Sequence, residues 1–260
     1  MNYNNIVWMD IISETIQLAQ QEPMLASYFH SSVIKHKNLG DSLSYILANC
    51  LGAPSMPPIS IREIMQEAYE ECPDLVNFAA LDILAVVTRD PAVSHYSTPL
   101  LYLKGFHALQ AHRISNWLWK NKRYALAIYL QNQVSVTCQV DIHPAANIGH
   151  GIMLDHATGI VIGETAVVGN DVSILQNVTL GGTGKDCGDR HPKVGDGVMI
   201  GAGAKVLGNI LIGDGSRIGA GSVVLQPIPA HSTAAGIPAK IIGRSKSQIP
   251  SEEMDQIFNS

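Results

Sequence analysis

Charge is scarce in this chain. Only 15% of its 260 residues are Asp, Glu, Lys or Arg, while 46% are apolar. An ordinary soluble domain carries roughly a quarter of its residues charged. So few charges over such a length imply large buried surfaces and association between copies. The charge that is present sums to −5, which removes the electrostatic basis for binding nucleic acid. Long apolar runs are missing as well. None approaches the roughly 20 residues that a membrane span needs, and Met1 to Asp10 lack the basic-then-apolar pattern of an export signal. A cytoplasmic protein is the expectation. Cysteine is sparse, at positions 50, 72, 138 and 187, with no Cys-x-x-Cys pair to suggest zinc. Free thiols suit a reducing compartment, and Cys187, in a polar stretch, reads as an exposed bystander.

What the chain does have is a six-residue beat. It falls on Ile142, Ile148, Leu154 and Ile160, then on Ile162, Val168, Ile174 and Leu180. It resumes at Val194, Ile200, Val206, Ile212, Ile218 and Val224. A period of six fits neither a helix nor a single alternating strand. It fits short extended runs separated by turns, the pattern of a parallel β-helix. Three hexads would make one triangular coil, with coils stacked about 4.8 Å apart, and fourteen hexads would give four to five coils. Two faults interrupt the beat. It slips by two residues between Ile160 and Ile162, and it breaks between Leu180 and Val194 over the polar segment from Gly181 to Lys193. A loop leaving a rigid coil is where function is commonly carried.

The first 138 residues read differently, as helices. Asp41 after Gly40, Ser60 with Glu63, and Asp74 after Pro73 all look like helix starts. Pro99 after Thr98 suits the first position of a helix, and from Leu100 the apolar spacing predicts one long helix. A further helix is predicted over about 122–134. Phe106, Trp117 and Trp119 read as core or subunit contact. The architecture is thus α+β: an α-helical domain over 1–138, a β-helix over 139–242, and a flexible tail over 243–260.

Chemistry is concentrated at the two faults. His156 sits in Asp155-His156-Ala157-Thr158-Gly159, directly before the slip, and Arg190-His191 sits in the insert. Asp141 is fifteen positions before His156, close to one coil length, which predicts hydrogen-bond reach between successive coils. A carboxylate that orients an imidazole makes it a better general base. His143 and His150 read as structural or interfacial.

These segments resemble a known family. Arg89-Asp90-Pro91-Ala92, Asp141-Ile142-His143-Pro144-Ala145, Gly149-His150-Gly151 and Asp155-His156-Ala157-Thr158-Gly159 carry part of the likeness. Gly181-Gly182-Thr183-Gly184-Lys185, Asp189-Arg190-His191-Pro192-Lys193 and Ala235-Gly236-Ile237-Pro238-Ala239-Lys240 carry the rest. Together, from about Glu22 to Arg244, they look like serine O-acetyltransferase. The resemblance implies a left-handed β-helix and acetyl transfer from acetyl-CoA, a co-substrate rather than a resident cofactor, to the hydroxyl of L-serine in cysteine biosynthesis. It implies that His156 is the general base and Asp141 its partner, that Asp90 and Asp155 hold the serine ammonium, and that Arg190 and His191 hold its carboxylate. An oxyanion donor is expected from a backbone N–H near Gly182 or Thr183, or from a histidine such as His191. Pantetheine would run past Gly182, Thr183, Ala202 and Ala220, with Lys240 and Lys205 towards the CoA phosphates. No resident metal is implied.

The resemblance also implies a trimer or dimer of trimers with sites between neighbouring β-helices, and inhibition by L-cysteine. Family members often end in an isoleucine that docks into O-acetylserine sulfhydrylase. This chain ends Ile257-Phe258-Asn259-Ser260, a departure that counts against the sulfhydrylase as a partner without removing it. Other readings are a β-helix zinc carbonic anhydrase using His150 and His156 across a trimer, an acetyltransferase for a sugar or xenobiotic, and a non-catalytic scaffold.

Overall fold

The computed structural model describes residues 3–184, 187–245 and 247–256. Lys185 and Asp186 of the insert, and the final Ile257-Phe258-Asn259-Ser260, lie outside the described residues. Helices come first: α1 (Tyr3–Gln21), α2 (Ala26–Phe29) with a π-helical turn at His30–Ile34, α3 (Leu39–Leu51), α4 (Pro58–Glu71), α5 (Asp74–Arg89), α6 (Ser97–Tyr102), α7 (Lys104–Lys120) and α8 (Tyr124–Cys138). Leu43, Leu47, Ile61, Met65, Ile83 and Ile114 are fully buried at their common core.

The expected helix starts are displaced. The cap of α3 is Asn38, whose side chain accepts from the Asp41 N–H at 2.9 Å, so Asp41 lies in the first turn rather than before it. Pro58 begins α4, two residues before Ser60, because proline fits a first turn whose N–H has no partner to lose. Asp74 is the first residue of α5, and Pro73 is its cap. Pro99 is the third residue of α6. The long helix predicted from Leu100 is broken at Leu103, whose backbone is extended (φ −86°, ψ 109°), and restarts at Lys104. The break aims the start of α7 at the β-helix. The last helix before the repeats runs to Cys138, four residues beyond expectation.

From Val140 the chain coils. Its strands are β1 (Val140–Ile142), β2 (Asn147–Ile148), β3 (Met153–Leu154), β4 (Ile160–Ile162), β5 (Val167–Val168), β6 (Ser173–Ile174) and β7 (Thr179–Gly181). After the insert come β8 (Lys193–Val194), β9 (Met199–Ile200), β10 (Lys205–Leu207), β11 (Leu211–Ile212), β12 (Arg217–Ile218) and β13 (Val223–Val224). Last are β14 (Ser232–Gly236) and β15 (Ala239–Arg244). They form three faces, ordered β1-β4-β7-β10-β13, β11-β8-β5-β2 and β15-β14-β12-β9-β6-β3, parallel throughout except β14 with β15. This is a left-handed β-helix of about five coils behind a helical domain. Every beat residue is buried except Ile148, which is half-buried.

The faults appear as changed register. Val140 pairs with Ile160, so the first coil takes 20 residues, whereas Val194 pairs with Ile212 over 18. Val168 pairs with Val194, so the coil with the insert takes 26. Ile160 and Ile162 share one strand, both pointing inward with Val161 outward. The extra residues of the first coil are spent at the corner 155–159.

A buried ionic network joins the two halves. Arg113 of α7 meets Asp82 of α5 at 2.7 Å and donates to the Gly149 carbonyl at 2.8 Å, while Asp82 accepts from the Ile152 N–H at 2.8 Å. Removing either partner would leave a buried charge alone, at about 3–5 kcal/mol.

The tail is not loose over its described length. The last strand extends to Arg244, and residues 247–256 fold back along the third face. There α9 (Pro250–Glu253) packs on α5, and Ser251 is fully buried, with its carbonyl accepting from Ser173 at 2.9 Å. Arg217 grips the Asp255 carbonyl and carboxylate at 2.8 and 3.1 Å. Met254 packs against Val86, Val93 and Met153. Hydroxyl and charge pairs, rather than an apolar stripe, dock this segment, so hydropathy gave no sign of it.

Candidate active site

Two edges of the prism flank the face β1-β4-β7-β10-β13. The edge entering that face carries the corner 155–159, and further along the axis the corners holding Ala202 and Ala220. The edge leaving it carries Glu164, Thr165, and the insert with Gly182, Thr183, Arg190 and His191. The nominated residues therefore fall into two groups within one chain.

At the first edge, Asp90, Asp155 and His156 line one cavity of about 410 Å³ with Thr98, Tyr102 and Lys104. Apolar walls come from Val86, Val93, Phe106 and Met153. Asp90 caps α5, and its Oδ1 accepts from the Ala92 N–H at 2.9 Å, which fixes the Asp-Pro turn. The His156 imidazole is 74% exposed, and its Nε2 stands 3.7 Å from Asp155 Oδ1. Its backbone is left-handed, φ 52°, and so is that of Ala157, φ 61°. Such conformations cost about 1–3 kcal/mol each in a non-glycine residue and persist only where neighbours enforce them. One enforcer is visible: a Cβ at Gly105 would stand 2.1 Å from the Leu154 carbonyl oxygen, so only glycine lets α7 approach this corner. Burial raises the Asp155 pKa above its ordinary value, and the Asp90 charge adds to that, against the opposing pull of His156. A pocket that places Asp90 beside the half-buried carboxylate of Asp155 suits a bound cation.

The expected reach from Asp141 to His156 is not met within the chain. The spacing argument assumed a coil near 15–18 residues, and the two-residue slip makes it 20. Asp141 instead faces outward from β1, its Oδ1 accepting from Gln131 at 2.7 Å. Asp155 is the carboxylate beside His156.

The second edge is tightly wired. Arg190 Nη2 meets Glu164 Oε2 at 2.7 Å and Nη1 donates to the Gly188 carbonyl at 3.2 Å. The guanidinium holds the Glu164 carboxyl below its ordinary range. His191 is 7% exposed. Its Nδ1 accepts from the Thr165 N–H at 3.2 Å, so the neutral ring carries its proton on Nε2 and presents a donor. Burial, then the adjacent Arg190 charge, push its pKa down and keep it neutral. Thr165 Oγ1 accepts from both the Arg190 and His191 N–H groups, at 3.0 and 3.1 Å. Gly163 leaves room for the ring: a Cβ there would lie 2.0 Å from His191 Nε2. Glu164, Thr165 and Gly163 escaped the sequence reading because they act only through coil stacking. The turn they share after β4 gave the one available hint.

The remaining positions are dispersed along both edges. The Ala202 carbonyl accepts from the Gly221 N–H at 2.7 Å, which stacks the corners of Ala202 and Ala220. Gly182 leans on Arg190, and Thr183 approaches Gly208 of the next coil. Lys205 donates to the Asn177 carbonyl. Lys240 is exposed on β15 opposite Ala235. His143 packs edge-on against Trp119 at 5.0 Å, and His150 lies 5.3 Å from Phe78, both in structural settings. Cys187 is exposed.

A helical domain docked on a left-handed β-helix, with polar clusters on two edges of one face, defines a hexapeptide-repeat acyltransferase. Residues 191–226 match the model of the bacterial transferase hexapeptide (six repeats), and residues 7–111 match that of the serine acetyltransferase N-terminal domain. Serine acetyltransferase of Escherichia coli (strain K12) is 68% identical over 254 residues, covering 98% of this chain and 93% of that protein. A serine acetyltransferase solved in complex with cysteine superimposes with a TM-score of 0.97 at 62% identity, covering 100% of both chains. One solved in complex with CoA gives 0.89 at 63%, covering 92% of this chain and 100% of that one. The chain belongs to the serine acetyltransferase family. It is an acyltransferase, and its activity is O-acetylation of serine.

Proposed function

We propose that the two edges act as one composite site, the first edge of one copy closing against the second edge of its neighbour in a threefold assembly. The observation that carries this is the division of the chemistry within one chain. The base and two carboxylates stand at one edge, the carboxylate-binding arginine and a fixed histidine donor at the other, and a whole face lies between them. In this reading Asp90 and Asp155 take the ammonium of L-serine, which would offset the unfavourable crowding of their charges. Arg190 and His191 Nε2–H of the neighbour take its carboxylate, the arginine as a fork. Serine is then held so that its hydroxyl faces His156.

A serine hydroxyl is a weak nucleophile, so proton removal must accompany attack. The His156 imidazole accepts the hydroxyl proton as the serine oxygen bonds to the thioester carbonyl of acetyl-CoA. The tetrahedral oxyanion draws on an N–H near Gly182 or Thr183. Its collapse breaks the carbon–sulfur bond, and His156 returns the proton to the CoA thiolate. Within a chain Asp155 stands 3.7 Å from the base, beyond hydrogen-bonding distance, and acts on it through its charge. CoA would follow the axis between Ala202 and Ala220 on one side and Gly182 and Thr183 on the other, with Lys205 and Lys240 near its phosphates. L-Cysteine shares the ammonium and carboxylate of serine and would compete for the same grip, a reading that the cysteine-bound relative supports. None of the described helices is long and apolar enough to cross a membrane, and we place the reaction in the cytoplasm.

The test is complementation. His156→Ala and Arg190→Ala are made separately and then co-expressed. Mixed trimers regain serine-dependent release of CoA thiol if the site lies between chains, because one interface then keeps both groups. No recovery, with mixed trimers confirmed by mass, rejects the composite site. No serine-dependent thiol release from the unaltered protein rejects the whole reading.

A further inference from the structure

Lys104 takes no part in the reaction as described above. It is the first residue of α7, where the helix dipole disfavours a cation. Its side chain lines the cavity with Asp90, Asp155 and His156. Yet the hydrogen bond it makes goes to the Thr158 hydroxyl, fifty-four positions along the chain. Thr158 belongs to the corner that presents His156. Two successive contacts across a single residue shape that corner, Ala157 N–H to the Asp155 carbonyl at 2.5 Å and Thr158 N–H to the His156 carbonyl at 2.8 Å. Their central residues are His156 and Ala157, the two left-handed ones. Tight turns of this kind are strained and do not hold themselves.

The backbone around the corner is anchored from the β-helix side. Gly159 N–H reaches the Gln139 carbonyl and Asn177 N–H reaches the Thr158 carbonyl, each at 2.8 Å. Those bonds fix where the turn leaves. On the cavity side the support comes from the start of α7: Gly105 pressed on Leu154 and Ala157, and the Lys104 ammonium on Thr158. We propose that Lys104 is a positioning residue, which pins Thr158 and thereby fixes the strained turn that aims the His156 imidazole at the serine hydroxyl. This rests on His156 being the base. It assigns Lys104 no contact with substrate, despite its place in the cavity wall.

The test is a double-mutant cycle on the intact protein with Lys104→Met, Thr158→Val and the pair, plus Lys104→Arg and His156→Ala. Serine-saturated kcat and serine KM are read separately, and thermal unfolding confirms each fold. The expected result is that either single change lowers kcat about ten- to hundredfold, as misplacing a base does. Serine KM should move less than about twofold. The pair should be no worse than the poorer single variant, and Lys104→Arg should restore much of kcat. If Lys104→Met does not fold, Thr158→Val alone carries the test, since it keeps the lysine. Full kcat in Thr158→Val overturns the inference, as do multiplying losses in the pair or a loss confined to KM; each would mean that Lys104 acts elsewhere. His156→Ala separates the two readings. If it is inactive while both single variants keep full kcat, only the positioning role falls. If it keeps near-normal kcat, the base assignment falls with it.

Discussion

Two histidines stand on two edges of the same prism face, in opposite surroundings. His156 is exposed, sits on strained backbone, and has a carboxylate nearby but not in hydrogen-bonding contact. His191 is buried, with its ring gripped by Thr165 and its tautomer fixed. Under the proposed function, the difference separates two duties. A group that must take up a proton and return it needs freedom and an ion-friendly setting. A group that only donates to a carboxylate gains from being locked neutral, because a fixed donor costs no reorganisation when the ligand arrives.

The strongest way to break this contrast is His156→Ala. We expect serine-saturated turnover to fall about 10²- to 10⁴-fold, the usual worth of a general base, with little change in serine KM. A loss under about tenfold in the thiol-release assay would show that the imidazole is not the base. Next comes Arg190→Ala, expected to raise serine KM about ten- to hundredfold through loss of a charged, two-pronged contact. Steady-state titration with serine at saturating acetyl-CoA reads it, and an unmoved KM contradicts the carboxylate role. Third is Gly163→Ala, which never touches substrate. The added Cβ would displace the His191 ring, and serine affinity should fall about tenfold, the worth of one well-placed donor. Unchanged affinity would mean that the lock is dispensable.

The smallest effect sharpens the first edge. The Asp155 pKa is raised by burial and then by Asp90, so on acidification it neutralises sooner than an ordinary aspartate. Asp90→Asn removes the like charge and should lower the Asp155 midpoint, followed by carboxyl NMR in the free protein. An upward shift would contradict the crowding of the two carboxylates.

The repeat was legible because each core position returns to the same stereochemical demand, an aliphatic side chain pointing into a narrow prism. Fourteen beat residues therefore predicted the faces and the number of coils. Helix starts were less legible, since Asn38 and Asp41 are both plausible caps and only the backbone decides between them. The Asp141–His156 pairing is not formed within one chain, for a metric reason. Spacing in sequence translates to spacing in space only if the coil length is known, and this coil is two residues long of the standard. Arg190 and His191 were legible as a motif. Glu164, Thr165, Gly163 and Lys104 were not, because each matters through a neighbour 26 or more positions away or through space it leaves empty. The docking of the tail's described residues was not legible for want of an apolar pattern, since Ser251 and Asp255 dock by hydrogen bonds.

The final hairpin bears on a different question, which is why the stack ends. Each rung of a parallel coil is a template for the next, and an open face of backbone groups invites another chain to add itself, the route to fibres. Here the last strand of the third face, β15, runs backwards. Opposite Thr233 and Ala234 the register shifts, Ile242 being the extra residue that bends β15, and Lys240 and Arg244 put charge along it. A newcomer would meet a strand of the wrong direction, bent and positively charged. The hairpin therefore blunts the end of the third face against a further parallel rung.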